Sequence, residues 1–167
     1  MERTAARDAA VQVSYLFGYQ RARMHVRVVE TWAYHSDGRR RAPEKVTAPT
    51  WEQIEAAIRR LDGLERPILF LWASDDPALQ MVDEFSERLE VLGGAGVWWL
   101  AGTFGGYFQR RLLDPVRGPE EVELYPRQVE LGFGAPARHV TRDIGQVLLA
   151  ARHYAEHGGF EPALPWE

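Results

Sequence analysis

The residues that could perform chemistry are few and can be named at once. His153-Tyr154-Ala155-Glu156-His157 matches the H-x-x-E-H order of one metallopeptidase class, in which two histidines one helical turn apart share a metal and a glutamate acts as base. The pair stands directly before Gly158-Gly159, where a helix C-terminus favours histidine for electrostatic reasons alone. Only Glu161 and Glu167 follow as third ligands, whereas that architecture draws one from a distant helix. Gly93-Gly94-Ala95-Gly96 and Gly102-Thr103-Phe104-Gly105-Gly106 invite a phosphate-loop reading, but both lead into strands and not into a helix N-terminus, so hairpin turns account for them better. Asp75-Asp76 and Asp83-Glu84 are adjacent carboxylates that do not face one another, and His25, His35 and His139 form no serine triad. With no cysteine in the chain, thiolate metal sites, disulfides and a cysteine nucleophile are excluded.

A surface reading remains. Asp75, Asp76, Asp83, Glu84, Glu87 and Glu90 lie within sixteen residues that hold one basic residue, Arg88, and Trp98-Trp99 follow closely. In a strand, the two tryptophans point to opposite faces, so one enters the core and the other is free to be exposed beside carboxylates, a hot-spot composition against a basic protein. The alternative, a solvated acidic face with both tryptophans partly buried, stays open.

The elements that must position these residues follow from periodicity. Residues 24–34 alternate as a strand ended by the turn Ser36-Asp37-Gly38, and 39–48 reads as an exposed basic loop. Thr50-Trp51-Glu52-Gln53 is a capping box opening a helix to about Leu61, with Trp51, Ile54, Ile58 and Leu61 on one face. Residues 67–73 are continuously apolar, as in a strand buried on both faces. Residues 77–92 fit either a helix throughout or a short helix over 77–85 from Pro77 and then a strand over 88–92; the second is preferred. Short strands with glycine-rich turns continue to Phe133, and Thr141 to Glu156 forms a long amphipathic helix. The tail places Phe160, Leu164 and Trp166 back on the domain. The expected fold is therefore α+β: a mainly antiparallel meander with a helix near 50–61 and a long C-terminal helix near 141–157 packed on it.

The chain has 167 residues and a net charge of -4, unevenly divided: residues 1–49 carry +4 and residues 50–167 carry -8. Residues 1–23, an Ala/Val stretch with Tyr15, Leu16, Phe17 and Tyr19, read as a loosely attached leader, with a single domain over 24–167 from Met24. The leader lacks the apolar core of a signal peptide, and no apolar run approaches the ~20 residues of a membrane span. An acidic body does not suit nucleic acid. These features place the chain in the cytoplasm, with neither membrane nor nucleic acid as partner and no cofactor.

The C-terminal third carries a resemblance. Ala150-Ala151-Arg152-His153-Tyr154-Ala155-Glu156-His157-Gly158-Gly159, then Pro162 and Pro165-Trp166-Glu167, resembles the ending of immunity family one of bacterial polymorphic toxin systems, commonly encoded beside deaminase toxins. Thr50-Trp51 opening a helix, the 67–73 strand, Leu89-Glu90-Val91-Leu92-Gly93-Gly94 and Leu112-Leu113-Asp114-Pro115 agree with it in order, so that it spans residues 24–167. The resemblance implies no catalysis. It implies direct binding of a cognate toxin, with Trp166 and the glycines defining the fold and an acidic surface meeting the toxin's basic path to nucleic acid. The expected function is thus neutralisation of a toxin, a nucleic-acid deaminase above all, against two alternatives: a small metal-dependent or acid/base enzyme using His153, Glu156 and His157, and a generic protein-interaction domain.

Overall fold

A computed structural model describes residues 24–80, 86–104, 108–125 and 133–167. The leader expected over 1–23 lies outside the described residues. The rest is α+β, as the periodicities require. Nine strands are described: β1 (Val28–Trp32), β2 (Glu44–Thr47), β3 (Ile68–Trp72), β4 (Arg88–Gly94), β5 (Val97–Phe104), β6 (Phe108–Arg111), β7 (Glu121–Tyr125), β8 (Phe133–Pro136) and β9 (Val140–Thr141). Two helices accompany them, α1 (Trp51–Arg59) and α2 (Ile144–His157). The main sheet is antiparallel in the order β2-β1-β3-β4-β5-β6, with β9 paired to β5, and β7 and β8 form a separate hairpin. No helix among the described residues is long and apolar enough to cross a membrane.

The apolar run 67–73 becomes β3, central in the sheet and buried at all five positions. Its pleat sends Leu69 and Leu71 to one face and Ile68, Phe70 and Trp72 to the other. Against the first face pack both helices: Ile54, Ala57 and Ile58 of α1, and Val147, Ala150, Ala151, Tyr154 and Ala155 of α2. The Thr50 capping box is complete, with its Oγ1 accepting from the Gln53 amide and the Gln53 side chain accepting from the Thr50 amide at 2.9 Å. Asp143 caps α2 by accepting from the Gly145 amide at 2.8 Å, and Gly158 ends it. The tail returns as expected. Phe160 lies edge-on to Phe104 at 4.1 Å, Trp166 lies 4.8 Å from Phe160, and Glu167 and Pro165 hydrogen-bond to Arg111 at the end of β6 and to Leu113 beyond it.

Three expectations are corrected. Residues 39–48 are not all loop, because β2 forms there and pairs with β1. Its Glu44 is gripped by Arg66 at 2.9 Å and Arg60 at 3.3 Å, which ties this short edge to the end of α1. The helix over 77–85 is, in the described part, a single 3-10 turn over Pro77–Leu79; residues 81–85 lie outside the described residues. The first strand is shorter than 24–34, because residues 25–27 instead hydrogen-bond to Ala155 and Trp72. The Gly93-Gly94-Ala95-Gly96 run is a hairpin, but β4 continues through Gly94 and only Ala95 and Gly96 turn, both with positive φ, as in a two-residue type I′ loop. Gly94 lets β4 touch the exit of α1: a Cβ there would fall 2.4 Å from the Leu61 carbonyl carbon.

Candidate functional site

The residues singled out by charge do not assemble into one acidic face. Asp75 and Asp76 are exposed beyond the end of β3, where Asp76 caps the 3-10 turn through the Ala78 amide at 2.9 Å. Asp83 and Glu84 lie outside the described residues. Glu87 is half-buried and pairs with His25 Nε2 at 3.0 Å. Glu90 is only 8% exposed. The expected exposed tryptophan is also corrected: Trp98 and Trp99 do point to opposite faces, but both are buried. The reason is that β4 and β5 are interior strands with both faces covered at this level. Trp98 sits in the helical core, whereas Trp99 packs with Leu92, Ala135 and Val140.

His153, Glu156 and His157 do meet at the end of α2, with the two rings 5.2 Å apart, yet each is engaged with a protein partner. His153 Nδ1 faces Glu161 at 3.2 Å, and Glu156 accepts from Arg152 Nε at 2.9 Å and lies 3.7 Å from His157. Among the described residues, no group of three His, Asp or Glu side chains is placed to hold a metal ion.

What the strands build instead lies on the face away from the helices. Alternation brings Glu30 and Trp32 of β1, Lys45 of β2, Phe70 and Trp72 of β3, Arg88 and Glu90 of β4, Trp99 of β5 and Gln109 and Arg111 of β6 to this side. Trp32, Phe70 and Trp72 follow one another at 5.2 and 5.3 Å. The buried Glu30 carboxylate organises them: it accepts from the indole N–H of Trp32 and of Trp72, each at 3.1 Å, and meets Lys45 Nζ at 3.1 Å. At the outer end, the exposed Arg40 guanidinium stacks 3.9 Å over the Trp32 ring. Towards the centre, Arg88 lies over Trp72 and bonds Glu90 at 2.6 Å. Burial pushes the Glu90 carboxyl above its ordinary value, a shift the Arg88 charge only partly offsets.

Beyond this pair the face opens into a cavity of about 490 Å³ between β4, β5, β6 and the β8 segment. Its walls include Arg88, Glu90, Trp99, Gln109, Arg111 and His139, with residues 134–136 on the hairpin side. His139 is buried and hydrogen-bonds Glu167 through Nε2; this contact holds the Glu167 carboxyl below its usual range. Four cations, Arg40, Lys45, Arg88 and Arg111, therefore share the face with two carboxylates, Glu30 and Glu90, although the whole chain is acidic.

Sequence reasoning missed Arg40 and Arg111 and gave His139 no role, because they come from segments up to a hundred residues apart. The available signal was local: Arg88-Leu89-Glu90-Val91 alternates charge with apolar bulk inside a strand flanked by apolar neighbours, as a buried polar face would.

No family model matches the chain, and no curated protein matches it. Among solved structures, the crystal structure of a hypothetical protein from Neisseria gonorrhoeae is similar to it at 15% identity with a TM-score of 0.49, over 72% of this chain and 80% of that one.

Proposed function

We propose that this protein is an immunity protein that acts in the cytoplasm, binding a cognate bacterial toxin and blocking it by contact, with a nucleic-acid deaminase as the toxin class. The observation that carries the reading is the accessible Arg40–Trp32 stack with the exposed Lys45 at the outer end of the helix-free face, supported from beneath by Glu30 and the buried Phe70 and Trp72. Tryptophan and arginine are enriched among the few residues that dominate protein interfaces, and Glu30 fixes the half-buried Trp32 indole before any partner arrives, which lowers the ordering cost of binding. The order of motifs from Thr50-Trp51 to Pro165-Trp166 supplies the toxin-system context.

The charge of that face adds an acidic element to the expected basic surface of the partner. A toxin patch that meets the exposed Arg40 and Lys45 offers carboxylates there, while basic side chains on the toxin find Asp75 and Asp76 beyond the end of β3. Co-expression with toxins encoded beside its gene tests the reading. Cells are expected to survive with the wild-type chain and to die when Arg40→Glu and Trp32→Ala are combined in a protein that still folds. Unimpaired killing by every such toxin in the presence of the wild-type chain overturns it.

A further inference from the structure

Charge is unevenly compensated around the cavity between β4, β5 and β6. Arg88 is engaged, its Nε on Glu90 and its Nη1 on the Ser86 carbonyl at 3.0 Å, so its charge and that of Glu90 offset each other. His139 gives Nε2 to Glu167. Arg111 differs: it is half-buried, and its guanidinium makes no salt-bridge contact or side-chain hydrogen bond with a described residue, its charge only reaching the Glu167 carboxylate that His139 already holds. The Gln109 amide beside it is equally unengaged among the described residues. Arg111 pairs with Ala101 and Gln109 with Thr103, two residues apart on β6, so the pleat sends both side chains to the same face. The other side of the cavity is apolar, built from Trp99, Ala135 and Pro136.

We propose that this cavity binds a carboxylate carried on a short apolar stem, with the carboxylate on Arg111 and Gln109 and the stem against Trp99, Ala135 and Pro136. A guanidinium presents two parallel N–H donors that match the two oxygens of a carboxylate, and the amide N–H₂ of Gln109 adds a third donor. One cation with open donors, whose charge Glu167 already offsets in part from a distance, calls for no more than a monoanion. A phosphate dianion would set a second negative charge towards Glu90 across the same space, which disfavours it. The volume, about 490 Å³, is that of a small-ligand site. The group is either a free small acid or an acidic side chain of a bound protein, and the two share this chemistry. The inference rests on the cavity alone, so it can stand or fall without the toxin reading.

Titration of the isotopically labelled full chain, followed by NMR at the Trp99 indole N–H and the Arg111 Nε–H, tests it. The probes are 3-phenylpropanoate, its neutral amide 3-phenylpropanamide, and N-acetylglutamate N-methylamide. The acid is expected to bind with a Kd on the order of 1 mM, as a fragment of this size allows, and the amide at least about tenfold more weakly. Arg111→Met, which keeps an apolar stem at this half-buried position, should weaken the acid about tenfold and leave the amide unchanged. Gln109→Leu should weaken the acid to a smaller degree. Tighter binding of 3-phenylpropanoate than of the glutamate derivative assigns the site to a free acid, and the reverse order assigns it to a protein side chain. Equal binding of acid and amide, full retention of acid binding by a folded Arg111→Met protein, or no shift at Trp99 up to roughly 50 mM acid overturns the proposal.

Discussion

Arg88 donates its Nε to Glu90 Oε1 at 2.6 Å, although the two residues stand two apart on one interior strand and both are buried. Truncating one partner leaves the other charge without compensation in a buried position. Arg88→Met is therefore expected to cost about 3–5 kcal/mol in urea unfolding, whereas Arg88→Met combined with Glu90→Leu should recover much of that loss. A double variant as unstable as the single one would show that the pair itself stabilises the sheet.

The acids of the site should titrate in opposite senses. Burial raises the Glu90 carboxyl above 4.5, so its favourable contribution is fully present below 4.5 and is lost as pH rises through the raised value. Glu167 is held below 4.5, chiefly by the His139 hydrogen bond, so its contribution is present above 4.5 and is lost as pH falls through the lowered value. Stability measured from about pH 3 to about pH 7 should thus move against wild type relative to Glu90→Gln with rising pH, and in its favour relative to Glu167→Gln.

The β4–β5 turn gives a pair of substitutions with opposite signs. Gly94→Ala forces a Cβ to 2.4 Å from the Leu61 carbonyl carbon at φ +128, and a loss above about 3 kcal/mol or failure to fold is expected. Ala95 is a non-glycine residue at φ +51, so Ala95→Gly should raise stability by roughly 0.5–1 kcal/mol in thermal unfolding.

Trp166 is half-buried against the helical core, and its indole donates to the Glu161 carbonyl at 3.1 Å. Trp166→Ala should cost about 2–3 kcal/mol. The same change should free Phe160, visible as altered ring shifts at Phe104, since the three rings pack in series.

The parts of the fold that sequence could show are those with a local cause. The Thr50-to-Gln53 box, the unbroken apolar run at β3 and the Gly158 stop each act over a few residues, and each appears where its chemistry demands. The site is different, because it is made by register. Glu30 stands beside Lys45, and Arg111 beside Ala101, only through pairings whose partners lie in separate strands. The acidic stretch misled for the same reason: the described members of this run of charge are divided by the pleat of β4 and by its neighbours into an exposed pair, a histidine-bound residue and a buried one. Trp98-Trp99 carried the correct alternation but no indication that the β8 and β9 segments would cover the second side.

The placement of β3 also sets how the molecule opens. Both of its edges are paired, to β1 and to β4, and all five of its side chains are buried. Its amide protons can meet deuterated solvent only when the whole sheet separates, while those of the four-residue edge β2 can do so by fraying. Exchange at Leu69 to Leu71 thus works as an internal gauge of the global unfolding free energy.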